Sequence, residues 1–488
     1  MNQFDQRELP QASPQGASSS TKGAFAALWL VDRLSLPGAA VHAGDKNILG
    51  RIRMLRRQFL RSIPLAAAAG LTSAAHAEGL PIGEPKMKRF DDQRWVLDNI
   101  IQANGIDWDQ GHTSTLLRAC GLAIQDDMAT WRQRVKKYAD IVPAMEALAR
   151  KREALALEHE KAEEMIPARD NYYIAASYWA TAMWGLEEHG PRIRRNNEKK
   201  LENFKKYMAL ADHKIEWIEI PYRGKTLPAV FHLPPGYQAG QKVPVVVAVP
   251  GMDGFKERSV SLYADGWMAR NYAVLAIEGP GYWETPLRGI FVDVKGWAET
   301  GKEIAKWLKT KPEVDINRIV ATGSSFGSFF SAAMISEEPT FKACAVTGTC
   351  YDPGGTAIFD EASPTFKKRF MFMSGITDEV EFEKSRKTID WHGFAGKIKV
   401  PFLIAAGESD ELCPLEHTEA FTKALGGPKQ LVVYQDSRHS LRGPSVSNGP
   451  DPRIMQAEWL TRRLAGKPLE SERWFVEASG RVQKTKLA

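Results

Sequence analysis

The chain has 488 residues, of which 43% are hydrophobic and 25% are charged, and its formal net charge is +6. These values are ordinary for a soluble globular enzyme of two domains, or of one large domain with an appendage. Residues 1–77 hold nine Lys or Arg and four Asp or Glu, so about +1 is left for the rest of the chain. The basic charge therefore gives no argument for a nucleic acid or an anionic membrane as a partner.

The first 77 residues lack the pattern of a folded domain. Residues 1–53 are rich in Ser, Ala, Gln and Gly without a sustained period, so we predict a non-structural extension, with Met54 as an alternative start. Residues 54–77 carry Arg56-Arg57, an apolar run and an A-x-A sequence, which is typical of a twin-arginine signal peptide. We expect cleavage after Ala77 and export to the periplasm. A membrane anchor is the alternative, but the run is too short and too Ala-rich for stable insertion.

Residues 78–212 have the apolar periodicity of helices and predict a helical N-terminal (cap) domain. The run from Ile141 to about Met165 is amphipathic and rich in good helix formers. The segment Tyr172–Trp184 is apolar on nearly all sides, which is typical of a buried helix. We expect its aromatic side chains to belong to the core, with the lining of a substrate site as the alternative.

The pattern changes from helical to extended near Ile215, and residues 213–488 predict a second domain. The stretches Val243–Val249 and Tyr272–Ile277 are continuously apolar, as strands covered on both faces should be. Further strands alternate with amphipathic helices, and a helix is expected over Ser259–Ala269. This alternation predicts an α/β fold with a mostly parallel sheet and helices on both faces.

One short stretch of this second domain has the pattern of a nucleophile turn. The apolar run Ile319–Ala321 leads into Gly323-Ser324-Ser325-Phe326-Gly327, which is followed by residues that can begin a helix. A G-x-S-x-G sequence between a strand and a helix places its central serine on a sharp turn, next to a helix N-terminus that favours negative charge. The alternative is a Ser- and Gly-rich turn without chemistry. We predict Ser325 as a nucleophile.

Two further polar residues follow predicted strands, where ligands of such sheets bind. Asp410 follows the strand at 401–406, and His439 follows the strand at 430–434. The chain order Ser325, Asp410, His439 is that of an α/β-hydrolase triad, in which the histidine takes the serine proton and the carboxylate orients the histidine. Glu408 is a rival acid. Asp410 could also serve merely as a helix cap, and His439 could be an ordinary loop histidine.

Acyl-transfer chemistry also needs two backbone amides for the oxyanion. Position predicts the amide of Phe326, directly after the nucleophile, and that of Met252, in the loop Pro250–Gly254. Tyr282 follows another strand, and we expect it either to be structural or to face the site.

The four cysteines are Cys120, Cys344, Cys350 and Cys413. Their spacing gives neither a disulfide framework nor a metal-binding pattern. A bridge between Cys344 and Cys350 and two buried thiols are both left open. We expect no cofactor and no metal, because no dinucleotide, phosphate-loop or metal motif is present in the sequence.

With these residues in hand, the chain resembles α/β-hydrolases that carry a helical N-terminal domain. It is most similar to the group of 2,6-dihydroxypseudooxynicotine hydrolase, fungal polyketide-shortening hydrolases and FrsA-like esterases. The resemblance covers roughly residues 86–470 and depends on the opening at 91–108, the loop at 251–257, the sequence at 373–379 and the triad motifs.

This resemblance implies hydrolysis of a carbon–carbon bond beside a ketone, or of an ester. It further implies that Asp253 lies near the substrate, with a plain turn residue as the alternative. The helix at Tyr172–Trp184 is implied to line the pocket. Residues 351–397 are implied to form a helical lid.

The resemblance favours a hydrolase of a β-diketone or polyketide-like aromatic substrate. A general carboxylesterase and a prolyl-oligopeptidase-like peptidase are left open as well, and an intact triad speaks against a non-catalytic binding protein. The expected partner is a small-molecule substrate, and a homodimer is left open.

Overall fold

The computed structural model describes residues 86–186 and 188–487. The predicted extension at 1–53 and the predicted signal peptide at 54–77 lie outside these residues. The described helices and strands form one compact unit. None of these helices combines the length and the hydrophobicity needed to cross a bilayer.

The described chain begins with helices, because its apolar residues recur at helical spacing up to Leu210. The helix Ile141–Lys161 packs against the helix Met165–Thr181, which in turn packs against the helix Pro191–Leu210. The helix Met165–Thr181 is buried over most of its length. The α-helices of this part are α1 Lys88–Asp92, α2 Arg94–Asn104, α3 His112–Cys120, α4 Gln125–Arg134, α5 Ile141–Lys161, α6 Met165–Thr181 and α7 Pro191–Leu210.

The strands form a ten-stranded sheet within the described chain, in the order β1-β2-β4-β3-β5-β6-β7-β8-β9-β10. Neighbours from β4 to β9 are parallel, while β1, β2 and β10 pair antiparallel at the two edges. The predicted mostly parallel sheet is confirmed. The strands are β1 Ile215–Tyr222, β2 Lys225–His232, β3 Val243–Val249, β4 Ala273–Ile277, β5 Val314–Ser325, β6 Phe341–Thr349, β7 Phe402–Gly407, β8 Lys429–Tyr434, β9 Glu472–Val476 and β10 Val482–Lys486.

Both faces of the central strands are covered, which explains their continuous apolar sequence. Val245 and Val247 belong to one core cluster, while Val246 between them belongs to the cluster on the other face. The remaining α-helices are α8 Glu284–Leu287, α9 Val294–Lys309, α10 Phe326–Ile335, α11 Pro364–Ser374, α12 Glu379–Ser385, α13 Leu415–Ala424, α14 Pro444–Asn448 and α15 Pro452–Leu464.

The prediction of a helix over Ser259–Ala269 is wrong. The segment forms turns, with a short 3₁₀ helix at Met268–Arg270. The carboxylate of Asp265 accepts hydrogen bonds from the backbone amides of Ser261, Trp267 and Met268. Such side-chain acceptors compete with the helical pattern and stabilise a turn instead.

The expected lid corresponds to the residues between β6 and β7, which include α11 and α12. Its aromatic side chains are buried, and Phe370 packs against Phe326 with ring centres 5.0 Å apart. Arg89 joins this segment to the N-terminal helices by donating hydrogen bonds to backbone carbonyls, among them that of Ala362 at 2.9 Å. The apolar residues of the segment therefore belong to the core of the molecule.

Candidate active site

Ser325 occupies a strained turn between β5 and α10. Its backbone angles are φ 54° and ψ −130°, a region that non-glycine residues rarely adopt. A Cβ at Gly323 would lie 2.1 Å from the carbonyl oxygen of Gly327. A Cβ at Gly327 would lie 2.3 Å from that of Val249. Only glycine fits at these two positions, so the G-x-S-x-G sequence is what permits the turn.

Three side chains from three strand ends form a hydrogen-bonded chain. The Ser325 Oγ lies 3.0 Å from His439 Nε2, and His439 Nδ1 lies 3.0 Å from both carboxylate oxygens of Asp410. The Asp410 Oδ1 also accepts hydrogen bonds from the amides of Leu412 and Cys413, at 2.9 and 3.0 Å, which fix its orientation. The side chains of His439 and Asp410 are 5% and 0% exposed, so little water competes for these bonds.

The rival acid Glu408 is not part of this chain. It is exposed, and its Oε2 accepts a hydrogen bond from the amide of Asp436 at 3.0 Å. The structure therefore places Asp410 against the imidazole. Asp410 also organises its own turn, so a helix-capping role describes part of what the residue does.

The charge of His439 is set by opposing effects. Burial is the largest effect and disfavours the imidazolium, but the negative charges of Asp410, Glu411 and Asp253 outweigh it. Together they raise the pKa of His439 above its ordinary value. The imidazole is therefore a stronger base than a free histidine and is suited to accept the proton of Ser325.

The loop Pro250–Gly254 lies against the nucleophile turn. A Cβ at Gly251 would lie 3.2 Å from that of Ser325 and 3.1 Å from the carbonyl oxygen of Ser324. Met252 lines the cavity beside the serine. Phe326 is the first residue of α10, so its amide has no partner inside the helix. Both predicted oxyanion donors thus lie next to the nucleophile, and their role stays a prediction.

Tyr282 does not line the cavity, so the structure does not support the expectation that it could face the site. It is fully buried, and its hydroxyl donates a hydrogen bond to the carbonyl oxygen of Pro250 at 2.9 Å. The neighbouring Trp283 donates from Nε1 to the carbonyl oxygen of Gly254, also at 2.9 Å. The two residues thus hold the two ends of the loop Pro250–Gly254, so Tyr282 supports this loop and is not part of the cavity wall.

A cavity of about 450 Å³ opens in front of Ser325 and His439. Its roof comes from the helical part of the chain. The contributing residues are 110–112, 115, 116, 118 and 119, on and before α3, together with Thr181 and Trp184. The helix at Tyr172–Trp184 therefore contributes its C-terminal end alone. The cationic residues of the wall are Arg118, Arg258, Arg442 and Arg453, and Asp253 supplies its carboxylate. The wall therefore carries more cationic than anionic side chains.

Asp253 lies on the cavity wall with one carboxylate oxygen unused. Its Oδ1 is buried and has no hydrogen-bond partner among the described residues. Burial, the largest effect, raises the pKa of Asp253, while Arg369, His112 and Arg258 oppose the increase. An unpartnered buried carboxyl oxygen is costly unless a ligand pairs with it.

The sequence interpretation missed a second His–Asp pair in this cavity. His112 begins α3, and its Nε2 lies 2.7 Å from Asp109 Oδ1. The imidazole packs against Trp184 with ring centres 4.2 Å apart, and its side chain is 12% exposed. The sequence signal that could have found it is the spacing of an Asp and a His three residues apart before a helix.

All four cysteines are buried free thiols. This resolves the open choice between Cys344 and Cys350 in favour of thiols. The Cys350 Sγ lies 3.6 Å from Ser325 Oγ, and burial raises the pKa of Cys350 well above its ordinary value. The thiol therefore stays protonated beside the serine. No group of three or more His, Cys, Asp or Glu side chains in the described part of the chain could hold a metal ion.

Comparisons with known proteins agree with this geometry. Residues 302–466 match the Prolyl oligopeptidase family, a segment that contains Ser325, Asp410 and His439. The alpha/beta hydrolase gkaG of Penicillium citrinum is 31% identical over 202 residues, which cover 39% of this chain and 47% of that protein. The 20-hydroxy-prefusarin hydrolase FUS2 of Gibberella moniliformis is 29% identical over 205 residues, covering 40% and 48%. The chain spans about half the length of the curated relatives it matches.

Solved structures extend the likeness to the helical part. The 2,6-dihydroxy-pseudo-oxynicotine hydrolase superposes with a TM-score of 0.61 at 22% identity, covering 73% of this chain and 98% of that one. AbyA5 superposes with a TM-score of 0.53 at 13% identity, covering 73% and 95%. At these identities the likeness shows the fold. The chain therefore has an α/β-hydrolase fold with a helical N-terminal region, and part of its sequence is similar to fungal α/β-hydrolases and to the Prolyl oligopeptidase family.

Proposed function

We propose that this enzyme is a serine hydrolase that cleaves a carbon–carbon bond beside a ketone, in a β-diketone or polyketide-like aromatic substrate. The observation that carries the proposal is the continuous hydrogen-bond chain Ser325–His439–Asp410, which opens into an arginine-rich cavity. The cofactor-free chemistry of such a chain needs a nucleophile, a base and an oriented carboxylate, and all three are in contact.

The proposed mechanism begins with proton transfer. Ser325 Oγ attacks the ketone carbon while its proton passes to His439 Nε2, 3.0 Å away. Asp410 keeps the imidazole in the required tautomer and stabilises the imidazolium that forms. The oxyanion is held by the amides of Phe326 and Met252. The carbon–carbon bond then breaks, His439 returns the proton to the leaving carbon, and water hydrolyses the acyl-enzyme with His439 as base.

The leaving group of this reaction is a carbanion, so its charge needs a second set of polar groups. Asp253 supports the assignment, because its Oδ1 is buried without a partner and its pKa is raised by burial. A carboxyl group at this position can form a hydrogen bond with a phenolic or enolic hydroxyl of the substrate. One relative is named as a hydrolase of 20-hydroxy-prefusarin, which agrees with hydrolysis of a small molecule.

A carboxylesterase is the second candidate, since the triad and the oxyanion loop would serve an ester equally well. A prolyl-oligopeptidase-like peptidase is less favoured. The family match at 302–466 covers strands β5 to β8 and leaves out the helices that roof the cavity. It therefore supports the chemistry more than a peptide substrate.

The test is a substrate panel of aryl esters and acyl-phloroglucinol-type diketones. We expect release of a carboxylic acid and the free phenol from the diketone by the wild type, and none by Ser325→Ala. The neighbouring Ser324→Ala is the matched control and should stay active. Ester turnover without diketone turnover would replace the proposal by the esterase.

The place of action is a separate proposal, based on the sequence at 54–77. We propose export by the twin-arginine route, with small-molecule substrates met outside the cytoplasm. N-terminal sequencing of the periplasmic protein should begin after Ala77. A full-length cytoplasmic protein would contradict it.

A further inference from the structure

The cavity contains a second proton-bearing group that the triad does not use. His112 donates from Nε2 to Asp109 Oδ1 at 2.7 Å, so the carboxylate fixes this end of the ring. No described residue forms a hydrogen bond with its other nitrogen, Nδ1. His112 lines the same cavity as Ser325 and His439, whereas Asp109 lies behind it. The pair is therefore built like the His439–Asp410 pair and faces the same space.

The charges around His112 favour its cationic form. Burial is the largest effect and disfavours the cation, but Asp109, Asp253 and Asp107 outweigh it and raise the pKa of His112. The guanidinium groups of Arg118, Arg258 and Arg442 also line the cavity. An imidazolium beside arginines makes this wall attractive to a negative oxygen.

The helix that carries His112 is tied to the loop that carries His439. Arg442, three residues after His439, donates a hydrogen bond to Ser114 Oγ on α3. A Cβ at Gly111 would fall within the guanidinium of Arg442, so the two segments pack without a gap. Trp184 supports the other side of the imidazole. The position of His112 relative to the nucleophile is thus fixed by contacts on two sides.

We propose that His112, oriented by Asp109, donates a hydrogen bond from Nδ1 to the enolate oxygen that forms when the carbon–carbon bond breaks. This inference rests on the proposed function and narrows its substrates to 1,3-dicarbonyl compounds, including acylated phenols. In an ester the leaving oxygen is bonded directly to the acyl carbon and takes its proton from His439, whereas the enolate oxygen of a 1,3-dicarbonyl lies two bonds further away, so an ester does not need His112.

The step balances without another reactant. The bond from Ser325 Oγ to the acyl carbon has formed, and the bond from that carbon to the α-carbon breaks with its electron pair. The pair is delocalised onto the second carbonyl oxygen, where the N–H of His112 stabilises the charge. His439 delivers the serine proton to the α-carbon. His112 keeps its own proton throughout.

The experiment compares one diketone and one simple aryl ester in the same variants. His112→Phe keeps an aromatic ring against Trp184 and removes both nitrogens. We expect kcat on the diketone to fall about 10²-fold, the usual cost of losing one oxyanion donor. The ester rate should stay within about threefold, because the triad and its oxyanion loop are intact. His112→Gln restores a side-chain donor and should recover part of the diketone rate.

The matched control is His392→Phe. His392 also stacks on a tryptophan, Trp391, at 3.9 Å between ring centres and pairs with a neighbouring aspartate, Asp390. It is exposed and lies outside the cavity wall, so both rates should be unchanged. An equal loss on ester and diketone in His112→Phe, or no loss on the diketone, would overturn the inference.

A binding measurement separates this inference from the proposed function. Dimedone, a stable cyclic 1,3-diketone that is largely enolate at neutral pH, is used as an inhibitor of ester hydrolysis. We expect its inhibition constant to weaken about tenfold in His112→Phe, which corresponds to one hydrogen bond to a charged group. An unchanged constant would refute the role of His112. If the wild type hydrolyses no diketone but the constant still shifts, the carbon–carbon proposal fails and the oxygen-binding role stands.

Discussion

A buried cluster of charges behind the oxyanion loop should be very sensitive to the loss of one lysine. Lys256 Nζ lies 2.9 Å from Glu257 Oε1, 2.8 Å from Glu284 Oε2 and 3.3 Å from Glu278 Oε2. All four side chains are at most 4% exposed. Lys200, from helix α7, lies 2.9 Å from Glu257 in the same cluster. The cluster therefore ties the helical part to the loops that support the active site.

The expected loss in the free energy of unfolding follows from the number of buried carboxylates that lose Lys256 as a partner. Lys256→Met keeps most of the stem volume but leaves three buried carboxylates with Lys200 and Arg288 as remaining partners. Removing one partner of a buried ion pair costs about 3–5 kcal/mol. We expect the free energy of unfolding to fall by about 3 kcal/mol, the lower end, because the remaining cations compensate in part.

The assay is urea unfolding of the variant at two pH values. Burial, the largest effect, already raises the pKa of Glu278, and loss of Lys256 should raise it further. Above the ordinary glutamate pKa of 4.5, the folded variant keeps a proton on Glu278 that the unfolded chain has lost. Its stability therefore falls as the pH rises from this value to the raised pKa of the folded state. The destabilisation should be smaller at pH 5 than at pH 8.

Two variants make this test specific. The double variant Lys256→Met with Glu278→Gln should recover part of the loss, because one unpaired charge is removed. Lys302→Met, which removes an exposed partner of Glu337, is the control and should leave the unfolding midpoint unchanged. A loss below about 1 kcal/mol for Lys256→Met, at both pH values, would refute the reasoning.

Three further predictions concern the triad and its supports. Asp410→Asn should lower kcat about 10⁴-fold, as loss of the orienting carboxylate does in such triads, whereas Glu408→Gln should not change it; ester kinetics measure both. Since acylation needs neutral His439 and nearby carboxylates raise its pKa, kcat/KM should rise with pH through a value above 6.5, and a flat profile from pH 5 to 8 would contradict this. Tyr282→Phe removes the donor to Pro250 and should cost about 1 kcal/mol of stability with a lowered kcat, seen by thermal melts and ester assays.

The sequence made the nucleophile turn and its partners predictable because their signals are local. Gly323 and Gly327 are required on steric grounds in any strand–turn–helix of this kind, and the structure shows that a Cβ would clash at both positions. Asp410 and His439 follow strands whose apolar runs are unmistakable, and parallel strands bring their carboxyl ends to one edge. The mostly parallel sheet was predictable for the same reason.

Features that depend on distant contacts were not predictable in this way. The placement of His112 in the cavity depends on the contact of helix α3 with the loop of Arg442, which no periodicity indicates. Tyr282 could be placed near the site, but its hydrogen bond to Pro250 depends on tertiary packing. The edge strand β10 escaped the sequence interpretation because the charged and polar residues of Val482–Lys486 lack the apolar run of a central strand.

Covalent labelling with a fluorophosphonate tests the central claim, that Ser325 is the nucleophile of a working triad, most directly. Peptide mapping of the labelled wild-type enzyme should place the phosphonyl group on Ser325. Ser324→Ala should be labelled at the same residue, and Ser325→Ala should not be labelled at all. Labelling that persists in Ser325→Ala, or that maps to another residue of the wild type, would contradict the account.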